Sequence, residues 1–288
     1  MTTHGTRRLA SKLLPQGQRV QGWTRPLASC IDAFARFGYV ARAAVYISIG
    51  AMSLLAALGP VRRAEGPVGA LESWSHWPLG VLFLWTIGFG LLALAGWRFL
   101  QAALDADRVG ESAHGLMRRA SKAANGVVDL ALALSVFHLL LALGDGHDVD
   151  DQASLQAMVA RALEFPGGGL LLIAIGAAVA ASGIGNIWRA ATGHFTEDLD
   201  CEGAQARWAG VMGRLGHLSQ GFSLLAVGSL TGLAGWQAKA YHARGLGGAL
   251  ETLKDQPMGH TLLGALGVGF AACGVFALVK AGLRRIGC

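Results

Sequence analysis

The segment Pro78-Leu-Gly80-Val-Leu-Phe-Leu-Trp-Thr-Ile-Gly88 decides the fold, because its spacing occurs three times in the chain. The same proline, the glycine two residues later and the glycine eight residues after that recur in 166–176 and 257–267. Each copy opens a long apolar run, and another apolar run that starts with a basic residue lies some forty residues upstream. We interpret the chain as one helical hairpin repeated three times.

Composition is typical of membrane proteins. Of the 288 residues, 53% are hydrophobic and 15% are charged, and the mean hydropathy is +0.44, whereas a soluble domain carries about 25% charged residues. Uncharged windows that approach or exceed the ~20 residues needed to cross a bilayer lie at 43–61, 77–97, 165–188, 215–238 and 256–279. A sixth window, 130–144, is shorter and spans only if it is extended past Asp129. Together they predict transmembrane helices at 37–59, 78–103, 121–143, 167–192, 215–236 and 259–283.

The predicted fold class is an all-α bundle of six transmembrane helices, built as three tandem hairpins with pseudo-threefold symmetry. A closed β-barrel would need segments of alternating polarity, and runs such as Leu91-Leu92-Ala93-Leu94-Ala95 exclude that pattern. We divide the chain into a basic cytoplasmic tail and three hairpin repeats, at 1–33, 34–107, 116–193 and 207–285.

Lysine and arginine are divided unevenly between the two sides of this topology. Fifteen fall on the side that carries both termini and six on the other side. Because positive residues remain on the cytoplasmic side, we expect both termini to be cytoplasmic. We interpret the charge of the tail, and the net charge of +6, as attraction to anionic lipid headgroups rather than to nucleic acid.

The first helix of each repeat carries polar residues at matching positions. Six residues after its opening basic residue stand Arg42, Asn125 and Gln220, and four residues later Tyr46 and Asp129 follow in the first two repeats. Residues four apart share a helix face, and an ionisable group inside a bilayer costs roughly 2.5–3.5 kcal/mol. We therefore predict an Arg42–Asp129 pair within a polar intramembrane cluster of Arg42, Tyr46, Asn125, Asp129 and Gln220.

Two interpretations of this cluster stay open. It is either a hydrogen-bonded clasp that holds the hairpins together or a site for an ion, a proton or a small polar solute. Arg98 and Arg189 lie near helix ends, where we expect them to extend to the headgroups, and we expect Asn186 to hydrogen-bond between helices.

Glycines recur in the second helix of each repeat, where a missing side chain lets backbones approach closely. We interpret them as packing positions rather than as the lining of a pore. They are Gly80, Gly88, Gly168, Gly176, Gly259 and Gly267.

The sequence lacks the motifs of common enzymes and metal sites. It contains no G-x-S-x-G, H-E-x-x-H or Walker motif, and its four cysteines have neither metal-binding nor disulfide spacing. Only His138 is central in a predicted helix, whereas haem ligation in a bundle needs facing histidines. We therefore predict no enzyme activity, no catalytic residue, no metal and no cofactor.

The start of the first helix, Phe37-Gly-Tyr-Val-Ala-Arg42-Ala-Ala-Val-Tyr46, resembles a bacterial family of integral-membrane proteins known as domain of unknown function 1206. The second repeat departs from the pattern at Ser121, Lys122 and Asn125. The resemblance implies three tandem hairpins over residues 30–285 and a location in the bacterial cytoplasmic membrane, and it implies no catalytic residue.

These observations lead us to expect a non-catalytic membrane scaffold or accessory subunit. Its expected partners are the lipid bilayer and another membrane protein, not nucleic acid. The alternative is a channel or transporter that passes a proton, an ion or a small polar solute through the polar cluster.

Overall fold

The computed structural model describes residues 17–59, 65–104, 113–144, 150–193 and 204–283. Within these ranges every regular element is helical and no strand is present, which confirms the all-α class. In chain order the helices are α1 (Gly17–Leu58), α2 (Pro67–Glu72), α3 (Gly80–Leu104), α4 (Ala113–Gly144), α5 (Asp151–Glu164), α6 (Gly168–Thr192), α7 (Ala204–Gln237), α8 (Leu246–Lys254) and α9 (Gly259–Leu283). A 3-10 turn, Ala240–His242, lies between α7 and α8.

Five of the described helices are long and apolar enough to cross a membrane. Their spans are Arg36–Leu58, Gly80–Ala103, Arg119–Gly144, Gly168–Thr192 and Gly259–Gly282, and each agrees with a predicted span to within a few residues. The chain is therefore a multi-pass membrane protein. At 34 residues α7 is also long, but it is not among the five because polar residues such as His217 and Gln220 interrupt its apolar run.

The first helix begins earlier than the sequence indicated. It starts at Gly17, so residues 17–33 of the expected tail are helical, and residues 1–16 lie outside the described part of the chain. Once a helix is nucleated, each added residue gains one backbone hydrogen bond, so α1 continues well beyond its membrane span.

The long helices pack most extensively against the neighbouring repeat. The main pairs are α3 with α4, α6 with α7, and α9 with α1. Each pair joins the second long helix of one repeat to the first long helix of the next, and the pair of α9 with α1 connects the last repeat to the first. Long helices of neighbouring repeats therefore pack together more extensively than the two long helices of one repeat do.

Glycines allow close approach at these three interfaces. A β-carbon added to Gly176 would stand 2.6 Å from the carbonyl oxygen of Gly228 across the α6–α7 contact. Gly267 approaches Gly50 in the same way across the α9–α1 contact, and in α3 the phenyl ring of Phe137 lies against Gly88. Gly88, Gly176 and Gly267 thus stand at helix–helix crossings.

The other three glycines singled out in the sequence have different neighbours. An added β-carbon would overlap the carbonyl oxygen of Trp74 at Gly80, and those of Ala162 and Lys254 at Gly168 and Gly259. Each of these oxygens belongs to the short segment just before the long helix. Here glycine permits the tight turn into the helix rather than a crossing of two long helices.

Each repeat also contains a short helix that the hydropathy windows did not indicate: α2, α5 or α8. Leu71 in α2 and Leu250 in α8 are each 1% exposed and belong to the main core with Ile49 and Phe270. Trp74, just after α2, donates a hydrogen bond from Nε1 to the Ser48 hydroxyl at 2.9 Å. The short helices therefore close one end of the bundle, which we call the short-helix end.

Candidate functional site

The polar cluster is centred on α1, where Arg42 and Tyr46 lie one turn apart. Arg42 Nη1 donates to Asp129 Oδ1 of α4 at 2.6 Å, and Nη2 donates to the Tyr46 hydroxyl oxygen at 3.0 Å. The same hydroxyl oxygen accepts from Gln220 Nε2 of α7 at 2.8 Å. Side chains thus join α1 to α4 and to α7. Neither of these two helices is a packed partner of α1 along its length. The Arg42–Asp129 pair expected from the sequence is present.

Arg98 also belongs to this cluster, and our expectation that it extends to the headgroups is wrong. Its Nε lies 3.0 Å from Asp129 Oδ2. Because α3 packs along α4, the guanidinium reaches the carboxylate with little of its side chain exposed. The sequence held one signal for this contact. The predicted spans contain Arg42 and Arg98 but a single carboxylate, Asp129, to which both arginines are attracted.

The charges of the cluster are shielded from the surroundings. The Asp129 side chain is fully buried, and those of Arg42 and Arg98 are 8% and 11% exposed. Asp129 is the only acidic residue in the five spans, so two guanidinium groups share one carboxylate and the cluster carries a net charge of +1. Arg98 Nη1 is buried without a hydrogen-bond acceptor, which is costly where the local dielectric is low.

Asn125 does not join the other four predicted residues. Its side-chain amide donates to the carbonyl oxygen of Ser121 one turn earlier in α4, at 2.7 Å. Asparagine readily bonds to its own backbone in this way. The cluster brought together by the structure therefore consists of Arg42, Tyr46, Arg98, Asp129 and Gln220.

Two further contacts link α6 to neighbouring helices. Asn186 Oδ1 lies 3.3 Å from His217 Nδ1 of α7, which agrees with the expected hydrogen bond between helices. Arg189 Nη2 donates to the Ser121 hydroxyl of α4 at 2.8 Å, so this arginine contacts a neighbouring helix. His138 lies on the exposed surface of α4, away from the cluster.

In the described part of the chain, no metal-binding group coincides with the cluster. The described residues contain no group of three or more histidine, cysteine, aspartate or glutamate side chains placed to hold a metal ion. Two pockets lie on the outer surface, one of about 470 Å³ beside Phe165 and one of about 520 Å³ beside Phe37. Neither is lined by a cluster residue. The arrangement can hold helices together, and little of its charged side chains is exposed.

We expect Tyr46→Phe to lower the free energy of unfolding by about 1–3 kcal/mol, because the change leaves the buried donors of Arg42 and Gln220 without their shared acceptor. The ring would still stack on Phe270, whose centroid lies 6.1 Å away. Unfolding by a denaturing detergent in mixed micelles measures the loss. Tyr241→Phe, at a residue that is 56% exposed, is the matched control. Equal stability of the two variants would contradict a bridging role for the Tyr46 hydroxyl.

Comparison with known proteins agrees with the repeat seen in the structure. The sequence profile of the family described as Domain of Unknown Function (DUF1206) matches residues 37–105, 120–193 and 215–284, which is more than half of the chain. The chain is 29% identical over 253 residues to "Uncharacterized protein YxxB" of Bacillus subtilis (strain 168), covering 87% of this chain and 90% of that protein. No solved structure matches the chain.

Proposed function

This chain belongs to the DUF1206 family, and on that premise we propose that it is a non-catalytic membrane scaffold or accessory subunit. The description of the family assigns no activity, so the proposal rests on the geometry of the chain itself. One observation carries it: the charged groups of the cluster contact one another and are almost completely buried. Such a cluster ties helices together and offers a substrate little access to its charged groups.

The packing on the short-helix side of the cluster supports this proposal. One turn beyond Arg42, Tyr46 is buried against Phe270, and Ile49, Leu71 and Leu250 fill the core beyond it. A conduction path would need polar side chains or water along this line. In the described residues this part of the core is mostly apolar, with the buried hydroxyls of Ser48, Ser53 and Ser223 as its polar exceptions, and it holds no charged side chain, which favours a structural clasp over transport.

The proposed arrangement has six membrane spans in three hairpins. In it α7 is the sixth span and is tolerated despite its polar residues, because Gln220 and His217 bond to neighbouring helices. The three equivalent contacts between repeats support pseudo-threefold symmetry. The excess of lysine and arginine on one side supports cytoplasmic termini, and the proposed location is a bacterial inner membrane.

We expect the purified protein to conduct no ions above background. Proteoliposomes that contain it should pass protons, potassium and chloride at the rate of protein-free liposomes, because the cluster is enclosed. The same measurement on Arg98→Gln, which removes the excess charge, serves as a comparison. Flux that saturates with ion concentration and changes in Arg98→Gln would overturn the scaffold proposal in favour of a channel or transporter.

A positive test of the scaffold role is the mass of the intact complex. The protein, tagged at its natural level of expression and extracted in mild detergent, should be recovered with a different membrane protein in fixed stoichiometry. Recovery of this chain alone, as a monomer or a homo-oligomer, would count against an accessory role.

A further inference from the structure

The three repeats enter their second long helix through the same backbone turn. In each repeat the amide of the glycine that opens this helix donates to the carbonyl oxygen three residues earlier. The pairs are Gly80 with Trp77, Gly168 with Phe165 and Gly259 with Gln256, at 2.9, 2.9 and 2.8 Å. Because the backbones match, the side chains at equivalent positions of the three turns can be compared directly.

One position of this turn carries very different side chains. Four residues before the proline stand Trp74, Ala162 and Leu253. In the first repeat the Trp74 ring packs against Trp77 and Phe83, with ring centroids 5.4 and 5.1 Å apart. The third repeat also places a large apolar side chain there. The middle repeat has only a methyl group at this position.

A pocket of about 470 Å³ lies at this point of the middle repeat. Its walls include Met158, Arg161 and Ala162 of α5, Phe165 in the turn and Leu171 of α6, and we call it the α5–α6 pocket. Phe165 and Leu171 are equivalent to the two aromatic residues that contact the tryptophan ring in the first repeat. The pocket therefore corresponds to a space that the first repeat fills with its own side chain, and its volume is typical of small-molecule sites, about 300–1,000 Å³.

The α5–α6 pocket lies where α6 enters the membrane. The span of α6 begins at Gly168, which also lines the pocket. Leu171 lies one turn inside the span and Phe165 lies just before it, and both side chains are more than half exposed. An apolar wall thus runs from the hydrocarbon to the surface of the membrane, and Arg161 borders the same pocket from outside the span.

A single charge borders this apolar wall. Of the described residues that line the pocket, Arg161 alone is ionisable. It is exposed, and no carboxylate in the described part of the chain pairs with it. Glu164, one turn later in α5, is exposed but does not line the pocket. A guanidinium group binds phosphate oxygens in a bidentate manner, so the charge of the pocket is complementary to a phosphate.

We propose that the α5–α6 pocket holds one phospholipid from the leaflet at the short-helix end. Its phosphate binds Arg161, and the upper part of an acyl chain lies against Phe165 and Leu171. A phospholipid presents an anionic phosphate and a hydrocarbon chain in the order in which the pocket presents a cation and an apolar wall. The site does not rest on the scaffold proposal, because it lies on the outer surface and contains no residue of the polar cluster.

Native mass spectrometry of the delipidated protein in mild detergent tests the phosphate contact. On titration with phosphatidylglycerol we expect one molecule per chain to bind at least about tenfold more tightly than later ones. Arg161→Gln should weaken this first molecule by about tenfold or more, and Arg161→Lys, which keeps the charge, should weaken it less. Lys254→Gln, at the end of α8, is the control and should have no effect. Equal binding by the original protein and Arg161→Gln would overturn the proposal.

The same titration distinguishes a lipid from its parts. Diacylglycerol has the chains without the phosphate, and inorganic phosphate has the anion without the chains. Each should bind at least about tenfold more weakly than phosphatidylglycerol, because each contacts only one side of the pocket. Binding of inorganic phosphate alone with the full affinity would show an ion site and overturn the proposal of a lipid.

Filling the pocket supplies a second measurement. Ala162→Trp copies the first repeat and should weaken the first phosphatidylglycerol by about tenfold or more. Ala160→Trp, at an exposed position of α5 that does not line the pocket, is the matched control. The midpoint of unfolding verifies that each variant folds, and Ala162→Leu, which copies the third repeat, is a smaller change with the same expected direction. Undiminished binding by the folded variants would overturn the proposal.

A cross-link in native membranes identifies the occupant directly. A photo-activated cross-linking residue in place of Met158, which is exposed beside the pocket, should be recovered with the added mass of a phospholipid. Replacing Arg161 by glutamine in the same chain should reduce this product by about tenfold or more. Recovery mainly on another protein chain would overturn the lipid proposal and identify the pocket as a protein contact.

Discussion

Replacing Asp129 by asparagine should be the most destabilising single change in the cluster, with a loss of about 3–5 kcal/mol in the free energy of unfolding. The change removes the only carboxylate of the five spans and leaves Arg42 and Arg98 as unpaired cations with side chains 8% and 11% exposed. Arg98→Gln should cost less, below about 2 kcal/mol, because it leaves one arginine bonded to one aspartate. Denaturing-detergent titration in mixed micelles gives the comparison.

The double variant Arg42→Leu/Asp129→Asn distinguishes a cluster in which two arginines share Asp129 from an isolated Arg42–Asp129 ion pair. If Arg42 and Asp129 were isolated partners, removing both would restore most of the stability. Since Arg98 would remain without a carboxylate, we expect little recovery until it is also replaced by glutamine. Asp150→Asn is the matched control, because Asp150 caps α5 by accepting from the Ala153 amide and asparagine caps equally well. If Arg98→Gln lowers the free energy of unfolding as much as Asp129→Asn does, the predicted order of the two variants is wrong.

Replacing Gly176 by alanine should cost about 2–3 kcal/mol, because overpacking at this point forces two backbones apart. An added β-carbon would stand 2.5 Å from the Gly232 amide nitrogen and 2.6 Å from the Gly228 carbonyl oxygen. Neither atom can rotate away as a flexible side chain would. The α6–α7 interface should therefore loosen as a whole, visible as a lower midpoint in detergent-induced unfolding.

Gly185→Ala on the same helix is the control for this change. A β-carbon at Gly185 meets nothing within 4 Å, so the gain in helix propensity, about 0.5–1 kcal/mol, should leave that variant as stable as the original protein or slightly more so. A similar effect of alanine at the two positions would mean that the crossing at Gly176 is looser than described.

Much of the architecture follows from periodicity, and the exceptions have physical causes. The spacing of proline and glycine indicated the hairpins, and the positions of Arg42 and Asp129, one helical turn apart in the aligned repeats, indicated their contact. Register along one helix says nothing about how a neighbouring helix is rotated, so the approach of Arg98 to Asp129 was missed. Helices α2 and α8 escaped detection because six and nine residues carry too little periodic signal. Helix α5, with 14 residues, forms no apolar window because polar residues are distributed along it.

Helices α4 and α6 of the middle repeat are not a packed pair, and this could not be predicted because the repeats differ little in sequence. The three repeats share the glycine at Gly88, Gly176 and Gly267. They differ where serine and alanine replace glycine on two facing surfaces, at Ser121 and Ala178. Small residues let helix backbones approach closely, and hydropathy hardly registers the replacement of glycine by serine or alanine.

The packing of α9 against α1 has a consequence for how the protein is made. During synthesis the first membrane helix emerges long before the last, so α1 must wait in the bilayer without the neighbour that finally covers Gly50. Contacts between the two ends of a chain are the slowest to form. The packing of α9 against α1 is therefore the natural last step of assembly. Until then the nascent chain exposes to other proteins a surface of α1 that is buried in the finished molecule.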